Sequence, residues 1–346
     1  MPETPQRILI IRLRGIGDVV LTTPVLENLR RAFPRAQIDY LTEPPSAPLL
    51  QNHPAVDHVH VLEHKRWQKL PMLAALRANW DFIRMLRGQN YDLVIDLFGN
   101  PRTALLTYLT CAPLRVGFRF RVRRFAYNLV VEPRGAHLHA VEFHLDVLRA
   151  LQIPLVTSQP RIAAATSSVV EKFWQEHGLA THTRVIAVNA FGGWYTKRWS
   201  IASFAELGDR LQRELAAKII LLWGPGEREE VEQMAAMMQS RVLVAPPTNL
   251  PELVALLARV HLLVANDSGP MHLAAALSKP VVAIFGPTRP HLQGPWGEGH
   301  TIVTKEGLPC LGCNGLTCKI VTHDCMQKLS VDAVFAAVQR QFFAKK

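Results

Sequence analysis

The sequence predicts an α/β protein of two Rossmann-like domains with parallel sheets, and three observations carry that prediction. Apolar runs of strand length, without alternation, are each followed by a longer helical pattern; the arrangement occurs twice; and glycine-bearing loops recur where a strand ends. Unbroken apolar strands separated by helices imply a parallel sheet covered on both faces. At 346 residues the chain suits two domains of ordinary size.

In the first half, "RILIIRL" (7–13) leads into a predicted helix over 19–33, and "QIDYL" (37–41), "VDHVHVL" (56–62) and "DLVIDLF" (92–98) follow, with a helix over 70–86. The second half repeats the pattern with "RVIAVNA" (184–190), "KIILLW" (218–223), "RVLVA" (241–245), "HLLVAN" (261–266) and "VVAIF" (281–285). Helices are predicted between them over 201–215, 227–239, 250–259 and 271–277. Residues 152–168 carry Pro154, Pro160 and small polar residues, which marks the boundary, with domains over 1–157 and 158–330. Ligands of such sheets collect at the carboxyl ends of the strands, so a cleft between the domains is the expected site.

Composition narrows the function classes. With 49% hydrophobic and 19% charged residues the chain reads as compact and globular. Its apolar runs fall far short of the roughly 20 residues of a membrane-spanning helix, and no cleavable leader pattern opens it; a cytoplasmic protein is expected. The formal charge of +11 points to an anionic partner or surface. Arg115, Arg119, Arg121, Arg123 and Arg124 concentrate that charge in "RVGFRFRVRR", which also suits a solvated strand edge. A nucleic-acid-binding reading lacks an aromatic stacking pattern or binding module. Five cysteines, four of them in one C-terminal segment, disfavour a secreted disulfide framework.

Four loops carry candidate chemistry. In "RLRGIGDVVLTTPVL", Gly15 and Gly17 permit close approach at a strand-to-helix turn, and Asp18 either projects toward the cleft or caps the helix. The dinucleotide fingerprint needs a third glycine that is missing, which disfavours a nicotinamide dehydrogenase. In "NDSGPMHLAAAL", Asp267 and Ser268 suit capping, Gly269 allows close approach, Pro270 fits a first helical turn, and His272 lies one turn inside; that helix start is a candidate pyrophosphate site, with Gly286 and Thr288 of "FGPT" at the same sheet edge. "NAFGGWYTKRWS" places Gly192 and Gly193 before Lys197 and Arg198, a flexible loop with a point charge suited to a diphosphate, while Trp199 is expected to anchor the next helix. "LLWGPGE" offers Gly224 and Glu227, the latter placed for a ribose or base or for a helix start. The segment with Cys310, Cys313, Cys318, His323 and Cys325 fits either a tetrahedral metal site of irregular spacing or reduced structural thiols.

These segments, in this order and over almost the whole chain, resemble glycosyltransferase family 9, the ADP-heptose:lipopolysaccharide heptosyltransferases. The resemblance rests on the motifs quoted above together with "YDLVIDLFGNPRTALL" (91–106) and "RVGF" (115–118). It implies the GT-B fold, two facing Rossmann-like domains, with a final helix over 331–346 crossing back onto the first. It implies Asp18 as general base, and Lys197 as the catalytic cation that stabilises departing ADP. The donor set it implies is Gly192, Gly193, Lys197, Gly224, Glu227, Asp267, Ser268, Gly269, Met271 and His272. The acceptor set is Gly15, Gly17, Arg115, Arg119, Arg121 and Arg123. The implied partners are ADP-heptose, an anionic inner-core lipopolysaccharide acceptor and the inner membrane surface, with no nucleic acid. No Asp-x-Asp pair stands in a plausible donor loop, so neither a metal nor another cofactor is expected.

Overall fold

The computed structural model describes residues 4–119, 124–135, 137–180 and 183–343. The chain divides into two compact units, Met1–Ile162 and Ala163–Lys346. The first runs β1 (Arg7–Ile11), α1 (Ile16–Val20), α2 (Thr23–Ala32), β2 (Gln37–Thr42), β3 (His58–Val61), α3 (His64–Trp67), α4 (Met72–Gly88), β4 (Leu93–Asp96), α5 (Pro101–Leu109), β5 (Leu114–Phe118), β6 (Leu129–Val131) and α6 (Ala140–Ala150). The second runs α7 (Ser168–Glu176), β7 (Val185–Asn189), α8 (Ile201–Leu215), β8 (Lys218–Leu221), α9 (Arg228–Met237), β9 (Leu243–Val244), α10 (Leu250–Arg259), β10 (Leu262–Asn266), α11 (Gly269–Ala276), β11 (Val281–Phe285), α12 (Pro290–Gln293), β12 (His300–Thr304), α13 (Asp324–Gln327) and α14 (Val331–Phe343).

Each unit is Rossmann-like. The first sheet has the order β3-β2-β1-β4-β5-β6 and the second β9-β8-β7-β10-β11-β12, which is the same order counted from each unit's own first strand. All neighbouring strands are parallel. Ile8, Leu9, Ile10 and Ile11 of β1 are buried completely, as are Leu263, Val264 and Ala265 of β10, so these strands are covered on both faces, and that cover is what their unbroken apolar composition requires. In this strand order the chain leaves β1 toward one side of the sheet and returns on the other, opening a crevice beyond the carboxyl ends of β1 and β4. The equivalent crevice of the second unit lies beyond β7 and β10.

Several expectations need correction. The helix over 19–33 is two helices, because the Thr22 and Thr23 hydroxyls donate to the carbonyls of Val19 and Val20 and Pro24 starts a new first turn. β6 and β12 are strands that the sequence pattern does not mark, and residues 115–118 take the strand alternative, within β5. The domain boundary falls five residues later than the expected 157/158. The reason is local: Asn28 of α2 donates to the Thr157 carbonyl at 2.7 Å and accepts from the Val156 N–H at 2.6 Å, while Thr23 accepts from the Arg161 N–H at 3.0 Å. The proline-bearing stretch is thus fastened to the first unit. Within the second unit, α14 packs on α8, β11 and β12 and buries Val334, Phe335, Ala337 and Val338 in that unit's core.

No helix among the described residues is long and apolar enough to cross a membrane.

His53 supplies a pH-dependent fastening. It is buried, accepts from the Ala55 N–H at 3.2 Å, and hydrogen-bonds the backbone of Arg161; burial pushes its pKa down to about 4. A histidine depressed in the folded state stabilises it above the unfolded pKa, and that stabilisation is lost as pH falls toward 4. Between pH 7 and pH 5 the loss is about 2 kcal/mol. Urea denaturation at the two pH values is expected to register it, and His53→Gln to remove most of the difference; an equal difference in the variant excludes His53 as its source.

Candidate active site

In the first unit the loop after β1 turns at Gly15, whose φ of +87° lies in the left-handed region. A Cβ there would meet the Asp18 Oδ2 at 2.0 Å, so only glycine lets this carboxylate fold over the turn. The Asp18 Oδ1 lies 2.9 Å from an Arg12 guanidinium nitrogen, and the Asp18 side chain is 44% exposed. Asp18 sits in the first turn of α1 and is not its N-cap; Gly15 is. Arg12 is itself fixed from the neighbouring strand end, donating to the Leu97 carbonyl at 3.1 Å and lying over the Phe98 ring at 5.0 Å. The two strand ends that flank the crevice therefore hold one carboxylate, paired on one side and open to solvent on the other.

That edge is braced by Asp96, which the sequence analysis did not single out. Its carboxylate accepts from the Phe98 N–H at 2.9 Å, the Gly99 N–H at 2.8 Å and the Tyr127 hydroxyl at 2.8 Å. Complete burial pushes its carboxyl pKa up, against the pull of these donors. Gly117 makes room for the arrangement, since a Cβ there would stand 2.5 Å from the Tyr127 ring.

The arginine cluster divides. Arg115 donates to the carbonyls of Ala126 at 2.9 Å and Ala112 at 2.5 Å, so its guanidinium ties β5 to the following loop. Arg119 pairs with Glu132 and is 61% exposed. Arg121 and Arg123 lie outside the described residues, as does the Arg124 side chain.

In the second unit, β7 and β10 end level, with Asn189 opposite Ala265. Two asparagines lock the loops that leave them. Asn189 donates to the Ser268 hydroxyl at 2.9 Å, and Asn266 donates to the Ala190 carbonyl at 2.7 Å while accepting from the Trp199 N–H at 3.2 Å. Gly192 holds a φ of +155°, and a Cβ built there would stand in ordinary contact with the Ser268 Cβ at 3.7 Å, whereas Gly193 has open space around it. Trp199 is buried edge-to-face on Phe204 of α8, the anchoring role expected of it.

Lys197 reaches across to Asp267, Nζ to Oδ2 at 2.7 Å, and stands 4.3 Å above the Trp194 ring. The side chains are 17% and 7% exposed. Neither residue expected to cap α11 does so: Asp267 is paired with Lys197, and Ser268, though the N-cap residue, makes no side-chain cap hydrogen bond. An α-helix leaves its first N–H groups without carbonyl partners. Pro270 has none to offer, so the Ser268, Gly269 and Met271 N–H groups form the positive end of this helix. The Met271 side chain is wholly buried, leaving its backbone as its contribution, and His272 is buried one turn in. Glu227 accepts from the Gly224 N–H at 2.7 Å and stands 3.9 Å from Arg198, which also pairs with Glu230 at 3.0 Å. Its carboxylate thus closes its own turn.

The cysteine-rich segment braces this region. The Thr196 hydroxyl donates to the Gly315 carbonyl at 3.0 Å, the Thr196 carbonyl accepts from His323 Nε2 at 2.5 Å, and the Tyr195 and His323 rings stack at 5.9 Å. The Gly312 and Asn314 N–H groups donate to the Gly286 and Pro287 carbonyls, and a Cβ on Gly286 would stand 2.5 Å from the Met326 sulfur. Cys310, Cys313, Cys318 and Cys325 are free thiols. Among the described residues no three His, Cys, Asp or Glu are arranged to hold a metal ion. Burial and the neighbouring thiols push the Cys325 pKa up to about 11, which keeps it a neutral thiol.

With this geometry in hand, similarity to known proteins is informative. A family model for glycosyltransferase family 9 (heptosyltransferase) matches residues 79–322. The chain is 31% identical over 331 residues to lipopolysaccharide heptosyltransferase 1 of Pseudomonas aeruginosa, spanning 90% of this chain and 87% of that protein. It is 27% identical to lipopolysaccharide heptosyltransferase 3 of Escherichia coli K12, spanning 83% and 84%. Among solved structures, the family 9 glycosyl transferase of Veillonella parvula superposes with a TM-score of 0.82 at 26% identity, covering 97% of both chains. The E. coli heptosyltransferase WaaC with ADP superposes with a TM-score of 0.77 at 26% identity, covering 97% of this chain and 99% of that one.

Proposed function

The chain belongs to glycosyltransferase family 9, and from that premise we propose that it transfers heptose from ADP-heptose to the inner core of lipopolysaccharide with inversion at the anomeric carbon. One observation carries the reading: the N-cap Ser268 makes no side-chain cap hydrogen bond at the start of α11, and Lys197 is held on the adjoining Asp267, so helix N–H groups and an ammonium converge beyond β7 and β10. This is the chemistry a diphosphate requires.

In the proposed mechanism the Ser268, Gly269 and Met271 N–H groups bind the diphosphate, and Lys197 neutralises the charge that grows on it as the sugar–phosphate bond breaks. Gly192 and Gly193 present bare backbone beside the phosphates, and Gly224 with Glu227 forms the neighbouring wall. Asp267 would repel a phosphate directly; its part is to position Lys197. On the first unit, Asp18 takes the proton of the acceptor hydroxyl as that oxygen bonds to the anomeric carbon. The hydroxyl acidifies as the bond forms to an oxocarbenium-like carbon, so a carboxylate suffices as base in the transition state. Helix dipole and lysine supply the positive charge that a divalent ion provides elsewhere, and the mechanism uses none.

Arg119, Arg121 and Arg123 are proposed to draw the anionic acceptor, from a cytoplasmic location peripheral to the inner membrane. The test is a product analysis with ADP-heptose and defined inner-core acceptors, joined to calorimetric titration with ADP and UDP. Transfer of one heptose and tighter binding of ADP are expected. ADP binding without transfer of heptose to any such acceptor overturns the substrate assignment, and preference for UDP overturns the donor.

A further inference from the structure

Helix α4 is 17 residues long, yet Leu86 is its one buried residue. Its C-terminal half is held: Phe82 and Met85 pack with Leu86 on the first unit's core. Its N-terminal half carries Met72, Leu73, Leu76 and Trp80, which are between 57% and 77% exposed. At 3.6 residues per turn these four share one stripe, centred about 115° from the mean direction of Phe82, Ile83, Met85 and Leu86, which pack on the core. The N-terminal half of the helix is therefore apolar on a side turned from its own core. Exposed Leu105 and Tyr108 of α5, which packs beside α4, extend the apolar surface, and the exposed Phe125 ring lies against Tyr108.

The charges around the stripe are predominantly positive. Lys65, Arg66 and Lys69 precede the helix, and Arg77, Arg84 and Arg87 lie on it, with Arg77 and Arg84 bordering the stripe. The acids of the segment, Glu63 and Asp81, are each paired to one of these arginines, Arg66 at 2.9 Å and Arg77 at 3.7 Å. A solvent-facing helix with Leu, Met and Trp on one strip and arginines along its edge fits a layer that is apolar within and negatively charged at its face. A protein groove would supply apolar contact without a reason for so one-sided a charge.

We propose that the N-terminal half of α4 docks the protein on an anionic lipid surface, its apolar stripe lying among the headgroups and its arginines on the phosphates. The inference adds a lipid-facing surface to the transferase reading and stands on α4 alone, so its test needs neither donor nor acceptor.

The full chain is to be co-sedimented with phosphatidylcholine vesicles, with and without phosphatidylglycerol, in the absence of lipopolysaccharide. Binding is expected with phosphatidylglycerol, falling with added salt and with its removal. Leu73→Ser combined with Trp80→Ser is expected to lower partition by about tenfold or more, and Arg77→Gln combined with Arg84→Gln by severalfold, without change in Tm because the four side chains are exposed. Brominated lipid is expected to quench the wild type more than Trp80→Phe. Vesicle binding equal in all variants, or no binding by the parent chain, overturns the proposal. So does a dimer in analytical ultracentrifugation that Leu73→Ser with Trp80→Ser dissociates while the parent ignores vesicles, since a second copy then covers the stripe. Failure of the transferase reading is distinct: it is absence of sugar transfer to a deacylated, water-soluble acceptor while vesicle binding persists.

Discussion

Lys197→Ala is expected to lower kcat/KM for sugar transfer by about a hundred- to a thousandfold, the range for removing one preorganised group that stabilises developing negative charge. The ammonium is 2.7 Å from Asp267, 4.3 Å above Trp194, and mostly withdrawn from solvent, so it is aimed before any donor arrives. The same substitution strands Asp267, whose side chain is 7% exposed, and an unpaired charge at such a site lowers stability by up to about 3–5 kcal/mol. Loss of rate and loss of Tm are then expected together, and a second variant separates them. Lys197→Ala with Asp267→Asn removes the stranded charge and is expected to recover Tm while leaving kcat/KM low. Recovery of both by the double variant assigns Lys197 a structural part only. Thermal melts and steady-state rates on the three proteins decide between these outcomes.

The framework around Lys197 shows what kind of information a sequence holds. The fully covered strands were legible because burial on both faces demands the unbroken apolar runs of 8–11, 185–188 and 281–285. β6 and β12 were not, and β5 showed only as the strand-edge alternative for its arginine cluster. β5 is interrupted by Arg115 and Gly117, residues chosen by partners elsewhere: the Ala112 and Ala126 carbonyls for one, the Tyr127 ring for the other. β12 is mostly half-exposed and reads as polar. The amphipathic pattern of α14 states that one face is buried but carries no address, and the face went to the second unit.

The site was legible by the same logic and to the same depth. Glycines and polar residues just past apolar strands located the loops at the strand ends, and the strand order of each sheet brings residues as distant as Lys197 and Asp267 together. Pairings were out of reach. Asp18 with Arg12, Glu227 with the Gly224 N–H, and Asn189 with Ser268 depend on rotamers and loop paths that no spacing encodes. His323 holds the Thr196 carbonyl next to Lys197, a partner that a histidine among cysteines does not announce, since that spacing suits a metal site and structural thiols alike. Its neighbours' hydrogen bonds to Gly286 and Pro287 give the segment a bracing part.

Asp18→Asn is expected to lower kcat by about a hundred- to ten-thousandfold, the usual span for a general base, with ADP affinity unchanged because the proposed diphosphate contacts lie on the second unit. Asparagine keeps the shape of the side chain and one oxygen to accept from Arg12, so the turn at Gly15 has no new contact to make. The side chain is 44% exposed, and Arg12 retains the Leu97 carbonyl and the Phe98 ring; Tm is expected to stay near the parent value. What the amide lacks is the ability to take a proton. Fall of kcat at constant donor KM and constant Tm therefore isolates proton transfer from binding and from folding. Turnover within about tenfold of the parent removes the base from Asp18, and its carboxylate is then a clamp on Arg12, with solvent left to take the proton. Asp18→Glu sharpens the distinction: the longer arm keeps the chemistry but moves the oxygen relative to Gly15, so a base tolerates it poorly, whereas a simple ion-pair partner for Arg12 tolerates it well.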